Sequence, residues 1–149
     1  MTNYLKNQSG FTLMELVIII IVLGIVAAVA IPKMGNITES SRITATQSEM
    51  QTLKRAIIGN ALAVAAGRYT NKGFEGDVGH TPVSLAELGI KPDSVSAYNK
   101  FTRLGWNGPY IDISGNEYMS DAWGSNYIYD RSNRRLISLG GADSIIVTF

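Results

Sequence analysis

Hydrophobic and polar residues divide the chain into an unbroken apolar run, an amphipathic stretch and a mixed remainder. The apolar run covers residues 11–31, where 18 of 21 residues are hydrophobic and the exceptions are Thr12, Glu15 and Gly24. A helix of this length would reach about 31 Å, the thickness of one hydrocarbon core. Because the run has no polar face, it predicts a membrane-spanning helix over residues 11–31.

Two other interpretations of the apolar run remain open on this pattern. Ala28-Val29-Ala30 fits the cleavage site of a secretory signal peptide, and a plain single-pass anchor needs no cleavage. Both leave Glu15 unexplained, since a carboxylate inside a membrane helix costs about 2.5–3.5 kcal/mol and is a functional candidate. The charges on the two sides of the apolar run are nearly balanced, so the orientation in the membrane is predicted from the length of the segment that follows the run. We expect the short N-terminus in the cytoplasm and the long segment after Ile31 outside.

From residue 36 onward the pattern becomes amphipathic, with apolar residues recurring at helical spacing between charged and amide side chains. The apolar positions are Ile43, Met50, Leu53, Ile57, Ala61 and Val64. This spacing predicts that the helix continues over residues 32–66 and stops at Gly67. Its apolar face is expected to pack on a sheet, because the repeat is too short and irregular for a coiled coil.

Residues 67–149 combine loops with short β-type runs and are predicted to form a globular head. The glycine-rich residues 71–80 predict a surface loop, whereas Ser84-Leu85-Ala86-Glu87 is a capping box that predicts one short helix. Alternating or β-branched runs predict strands near residues 110–113, 126–129, 135–139 and 144–148. One long helix followed by strands predicts an α+β fold with a small antiparallel sheet.

The amino-acid composition mainly excludes certain classes of functional site. The chain has no cysteine and a single histidine, His80, which excludes thiolate metal sites and leaves little for histidine chemistry. Its net charge of +1 provides no strong field for nucleic acid, so no such partner is predicted. No nucleophile elbow, P-loop or zinc pattern is present in the sequence, and we predict that the protein is not an enzyme. The aromatic residues between positions 106 and 129 are expected to pack in the core.

The junction Ser9-Gly10-Phe11-Thr12-Leu13-Met14-Glu15 resembles the type III signal of the type IV pilin and pseudopilin superfamily. That signal is a short polar leader ending in glycine, followed by Phe-Thr-Leu, a variable residue, glutamate and a long apolar run. The resemblance implies a leader over residues 1–10, cleaved between Gly10 and Phe11 by a prepilin peptidase that also methylates the Phe11 amine. It further implies that Glu15 pairs with the amine of a neighbouring subunit and sets the register of stacked helices.

Three segments of the head extend the resemblance to type II secretion major pseudopilins. These are residues 105–110 (Gly-Trp-Asn-Gly-Pro-Tyr), 121–127 (Asp-Ala-Trp-Gly-Ser-Asn-Tyr) and 137–140 (Ile-Ser-Leu-Gly) with Asp143. The resemblance implies a pilin-like fold and a structural subunit of a homo-oligomeric filament that includes minor pseudopilins. It also implies a bacterial inner-membrane protein with a periplasmic head, extracted into a periplasmic filament by an assembly platform and its ATPase.

A type IV pilus pilin, used for adhesion, motility or DNA uptake, is the alternative within the same superfamily. Several such pilins close a C-terminal loop with a disulfide, and the lack of cysteine in this chain favours the pseudopilin. A membrane-anchored or secreted binding domain is a third alternative from a different class. It predicts a mature N-terminus at Met1 or Ile31 instead of Phe11.

The pseudopilin resemblance also implies calcium binding by an acidic loop after the Ser-Leu-Gly segment. Calcium takes about six to eight oxygen ligands. In this chain Asp143 is the only carboxylate that follows the segment, and Asp121 would have to contribute from elsewhere. We therefore assign no metal or cofactor site, and Ser138, Asp143 and Asp121 are the candidate calcium ligands.

Overall fold

The computed structural model describes residues 10–65, 67–115 and 117–149, apart from the side chains of residues 30–36, 68, 69 and 117. The chain divides into two compact units, residues 1–39 and residues 40–149. The helices and strands are α1 (Leu13–Ile58), β1 (Val64–Ala65), β2 (Arg68–Tyr69), α2 (Gly73–Val78), β3 (Ile128–Asp130), β4 (Arg135–Ser138) and β5 (Ile145–Thr148). Short 3₁₀ turns lie at Leu85–Leu88 and Glu117–Met119.

In the N-terminal unit, α1 exposes apolar side chains around its whole circumference. Every large apolar side chain from Leu13 to Val29 is at least 38% exposed, and Glu15 is exposed among them. The helix predicted for this segment is confirmed from Leu13 onward, because α1 begins at that residue. Within the residues that the structure describes, however, no helix combines enough length and apolar character to cross a membrane. The membrane-spanning segment stays a prediction.

In the C-terminal unit, one face of α1 enters the hydrophobic core. Thr46, Met50, Leu53 and Ile57 are each at most 1% exposed, and their spacing places them on one side of the helix. The predicted apolar stripe is confirmed at Met50, Leu53 and Ile57. It wrongly included Ile43, which is 37% exposed, and Ala61 and Val64, which are exposed and lie beyond the end of the helix. It missed Thr46 because threonine is not counted as an apolar residue.

Helix α1 ends earlier than its apolar periodicity predicted. The prediction that it reaches Ala66 is wrong, since its last residue is Ile58 and Gly59 is left-handed with φ of 85°. A side chain at position 59 would lie 2.5 Å from the carbonyl oxygen of Asn71, so contact with a distant segment requires glycine here. The chain then reverses, and β1 pairs with β2 in antiparallel orientation.

Residues 71–80, predicted as a surface loop, contain the short helix α2. The prediction is wrong because Phe74 is fully buried in the core and anchors the segment. Gly79 ends the helix in a left-handed conformation, and its N–H bonds to the carbonyl of Glu75 at 2.8 Å. A single buried phenylalanine among glycines has no periodicity, so the pattern could not reveal this helix.

The short helix predicted after Ser84 is confirmed as the 3₁₀ turn Leu85–Leu88. Ser84 makes no side-chain cap there. Instead the carboxylate of Glu87 accepts a hydrogen bond of 2.8 Å from the N–H of Val83. In the predicted capping box the donor would be the N–H of Ser84, one residue later.

The C-terminal sheet is antiparallel, with β4 between β3 and β5. Leu136 of β4 pairs with Tyr129 of β3 and with Val147 of β5. Leu136 and Val147 share one buried cluster with Leu53 and Ile57 of α1, so the helix packs on the sheet as predicted. The three predicted C-terminal strands and the α+β fold are confirmed.

The prediction of a further strand at residues 110–113 is wrong. The N–H of Tyr110 bonds to the carbonyl of Leu88 at 2.8 Å, but the strand pattern does not continue. The Oδ1 atom of Asp112 accepts the N–H of Ser114 at 2.9 Å, a side-chain turn that competes with strand pairing.

Candidate processing and assembly site

The predicted cleavage junction lies in non-helical chain directly before α1. Gly10, Phe11 and Thr12 carry no regular structure, and α1 begins at Leu13. Phe11 is 73% exposed, and a side chain at position 10 would meet none of the described residues within 4 Å. With respect to these residues, the Gly10–Phe11 bond is therefore sterically open. Residues 1–9, the rest of the predicted leader, lie outside the described residues, and cleavage and methylation stay predictions.

Thr12 caps the N-terminus of α1. Its Oγ1 atom accepts the N–H of Glu15 at 3.2 Å, and its carbonyl accepts the N–H of Leu16 at 3.2 Å. The side-chain contact provides a partner for one of the N–H groups that a helix leaves unpaired at its start. Sequence reasoning missed this role, although Thr12 and Glu15 have the spacing of a capping box.

Glu15 lies in the first turn of α1, and its side chain is exposed among apolar neighbours. The partial positive charge at a helix N-terminus favours a carboxylate in this turn. Glu15 therefore belongs to the local architecture of the helix start, whether or not it has a partner in another subunit. Its exposure leaves the carboxylate accessible to such a partner. The pairing with a neighbouring Phe11 amine stays a prediction.

The structure brings together two of the three candidate calcium ligands. Ser138 Oγ donates to Asp121 Oδ2 at 2.6 Å, and both residues are buried. Asp143 is exposed and makes no hydrogen bond to either of them in the described part of the chain. Among the described residues, no three histidine, aspartate or glutamate side chains group closely enough to hold a metal ion. Calcium binding stays an untested prediction.

The carboxylate of Asp121 accepts four hydrogen bonds from the protein. Oδ1 accepts the N–H groups of Trp123 at 3.0 Å and Ser125 at 2.9 Å. Oδ2 accepts the hydroxyl of Ser138 at 2.6 Å and the N–H of Gly140 at 3.1 Å. Burial raises the pKa of this carboxyl, but the hydrogen bonds lower it further, so the pKa lies below its ordinary value of 3.8. Asp121 is therefore ionised at neutral pH.

Five of the six aromatic side chains predicted to pack in the core do so, namely those of Trp106, Tyr110, Tyr118, Tyr127 and Tyr129. Tyr127 is buried and donates to the carboxylate of Glu49 at 3.0 Å. The ring of Tyr110 packs edge-on against Phe74 and Trp106, with centroids 5.8 and 5.9 Å apart. Burial is the main cause that raises the pKa of Tyr110 to about 12.

The sequence of this chain matches one family profile and several known proteins. The family profile described as "Prokaryotic N-terminal methylation motif" matches residues 5–31, which include the open junction and the start of α1. The type II secretion system core protein G of Xanthomonas campestris is 28% identical over 138 residues, covering 90% of this chain and 79% of the relative. The chain is type IV pilin-like. The core protein G of Escherichia coli is 29% identical over 123 residues, covering 82% of this pilin-like chain and 71% of the relative.

A fimbrial protein of Pseudomonas aeruginosa is 35% identical over 88 residues, covering 56% of the pilin-like chain and 55% of the relative. The chain thus spans about half the length of the fimbrial relatives that it matches. No solved structure matches it. None of the relatives named here carries the name of an enzyme. The resemblance to the type IV pilin and pseudopilin superfamily is confirmed.

Proposed function

We propose that this pilin-like chain is a structural subunit of a type II secretion pseudopilus. The observation that carries the proposal is the N-terminal part of α1, which is apolar and exposed on all sides directly after an open, pilin-type processing junction. A large exposed apolar surface needs a cover. Lipid provides it before assembly, and the α1 helices of neighbouring subunits provide it in a filament.

Processing prepares the subunit for assembly. A prepilin peptidase cuts between Gly10 and Phe11 and methylates the new amine, which leaves a cation next to the cap residue Thr12. Glu15 of one subunit pairs with this amine of its neighbour. An unpaired charge in an apolar environment is costly, so the pairing selects one register among the many that apolar helices allow.

The head remains on the periplasmic side, and the N-terminus lies in the cytoplasm before extraction. An inner-membrane platform and its ATPase move the processed subunit into the filament, in which minor pseudopilins take part. The orientation follows from the length of the segment after α1's apolar part, because long segments translocate largely regardless of flanking charge.

A type IV pilus pilin is the second candidate. The fimbrial protein of Pseudomonas aeruginosa supports it, because its identity of 35% is higher than that of the core protein G relatives, although its match is shorter. The core protein G relatives support the pseudopilus because their matches extend over 82% and 90% of the chain and so include the head. We favour the pseudopilus because the core protein G matches cover most of the chain, whereas the match to the fimbrial protein covers 56% of it.

Deletion of the gene in its native host separates the two functions. Retention of exoproteins in the periplasm with surface fibres intact supports the pseudopilus. Loss of surface fibres with normal secretion supports the pilus and overturns the proposal. N-terminal sequencing of the membrane-extracted protein provides the control for the third alternative, because a binding domain would begin at Met1 or Ile31 instead of Phe11.

A further inference from the structure

The turn at residues 121–125 and the end of β4 are joined through one buried carboxylate. Asp121 is 5% exposed, and each of its carboxylate oxygens accepts two hydrogen bonds. The donors on Oδ1 belong to the turn itself, whereas those on Oδ2, from Ser138 and Gly140, belong to the end of β4 and the residues after it. We call this arrangement the Asp121 clasp.

The clasp does not fit a calcium ion. An ionised carboxylate has about four lone-pair positions, and the four protein donors occupy that number. Three backbone N–H groups and one hydroxyl direct their positive ends at the carboxylate, where a cation would need free oxygen atoms. The exposed Asp143 makes no hydrogen bond to the clasp in the described part of the chain.

Gly140 is required for the close approach that closes the clasp. A Cβ atom at position 140 would lie 2.5 Å from Asp121 Oδ2 and 2.7 Å from Oδ1. The glycine therefore lets the backbone after β4 reach the carboxylate directly. The clasp is also tied to α1, because the N–H of Ala122 donates to the buried hydroxyl of Thr46 at 3.1 Å.

We propose that Asp121 holds the C-terminal part of the head together by itself, so that the head folds and stays closed without calcium. The partial positive charges of these four neutral donors stabilise the carboxylate in place of a divalent cation. The fold of the head is then independent of the calcium concentration around it. This inference concerns the head alone and stands whether the filament is a pseudopilus or a pilus.

Thermal unfolding of the full-length protein in detergent tests the proposal, with a calcium chelator and with added calcium. We expect the same midpoint in both conditions and no binding heat when calcium is titrated calorimetrically. Asp121→Asn should lower the midpoint equally in both conditions, because the amide places a donor against the donors of the clasp. Asp143→Asn, the control on the exposed candidate ligand, should change nothing. A wild-type midpoint that rises with calcium overturns the proposal, and loss of the rise in Asp143→Asn or Asp121→Asn would identify these residues as ligands.

A milder pair of variants keeps the test decisive if Asp121→Asn fails to fold. Ser138→Ala removes one of the four donors and should lower the midpoint without creating calcium dependence. Ser125→Ala removes a hydroxyl in the same turn but leaves its amide donor to Asp121 in place, so it should match the wild type. A loss in Ser138→Ala that is no larger than the loss in Ser125→Ala would contradict the clasp.

Discussion

The hydroxyl oxygen of Thr46, in the buried face of α1, accepts a hydrogen bond of 3.1 Å from the backbone N–H of Ala122. Three residues along the helix, Glu49 accepts the hydroxyl of Tyr127 at 3.0 Å. Together the two bonds fix the segment after Asp121 against the helix by polar contacts at the edge of an apolar core. The helix is thereby coupled to the Asp121 clasp as well as to the sheet.

Replacing Thr46 with valine should destabilise the protein. Valine keeps the shape but removes the acceptor, so the partly buried N–H of Ala122 loses its partner at a cost of about 1–3 kcal/mol. Chemical unfolding in detergent measures the difference. Thr44→Val is the matched control, because Thr44 lies on the exposed side of the same helix and its hydroxyl donates to the carbonyl of Ser40 in that helix. Equal losses in the two variants would contradict the assigned role of Thr46.

Replacing Glu15 with glutamine should abolish filament assembly while leaving processing intact. Glutamine keeps a side-chain carbonyl oxygen, which can accept a hydrogen bond at this position of a capping box, but it removes the negative charge that the proposed pairing with the Phe11 amine requires. Mass spectrometry of the N-terminus reports cleavage, and filament yield reports assembly. Thr12→Ser is the matched control, since it keeps the cap on α1 and should assemble normally. Wild-type filament yield from Glu15→Gln would refute the charge pairing.

Replacing Gly59 with alanine should destabilise the head more than the same change at Gly79. Both glycines have positive φ, 85° and 92°, so both variants carry backbone strain of about 1 kcal/mol or more. At Gly59 the added Cβ would also lie 2.5 Å from the Asn71 carbonyl oxygen, whereas at Gly79 it would meet nothing within 4 Å. The difference in unfolding free energy between the two variants isolates the contact. No difference would contradict the view that this contact ends α1.

The ion pair of Glu75 with Arg134 should make stability depend on pH in the acid range. Two hydrogen bonds of 2.9 and 2.8 Å join the groups, and the hydrogen bond from Arg134 is the main cause that lowers the pKa of Glu75 below 4.5. A lowered pKa in the folded state means that the contribution is present above pH 4.5 and is lost as pH falls through the folded value. Because the pair is partly exposed, we expect no more than about 1 kcal/mol.

Glu75→Gln therefore should reduce the unfolding free energy at neutral pH, and its difference from the wild type should shrink as the pH falls below 4.5. Urea unfolding across this pH range measures the difference. Asp93→Asn, which removes an exposed carboxylate elsewhere in the head, is the control for the loss of a negative charge. A difference that grows toward low pH would contradict the sign argued for Glu75.

Local sequence patterns were sufficient to predict the structure wherever the environment of a residue depends mainly on its neighbours in the chain. The spacing of Met50, Leu53 and Ile57 predicted their common buried face, because helical periodicity is a property of the local chain. The runs near residues 135–139 and 144–148 predicted β4 and β5 for the same reason. The match to the N-terminal methylation motif at residues 5–31 could be recognised in the sequence because such a motif consists of consecutive residues.

The features that the sequence did not predict depend on contacts between distant segments of the chain. Gly59 ends α1 although the apolar pattern continues past it, since the backbone near Asn71 leaves no room for a side chain. Thr46 became a core residue because the N–H of Ala122 provides a partner for its oxygen. Asp121 was a candidate metal ligand by sequence alone. The N–H groups of Trp123 and Ser125 belong to its own turn, but only the folded chain brings the hydroxyl of Ser138 and the N–H of Gly140 to its carboxylate, because these two donors come from a distant segment.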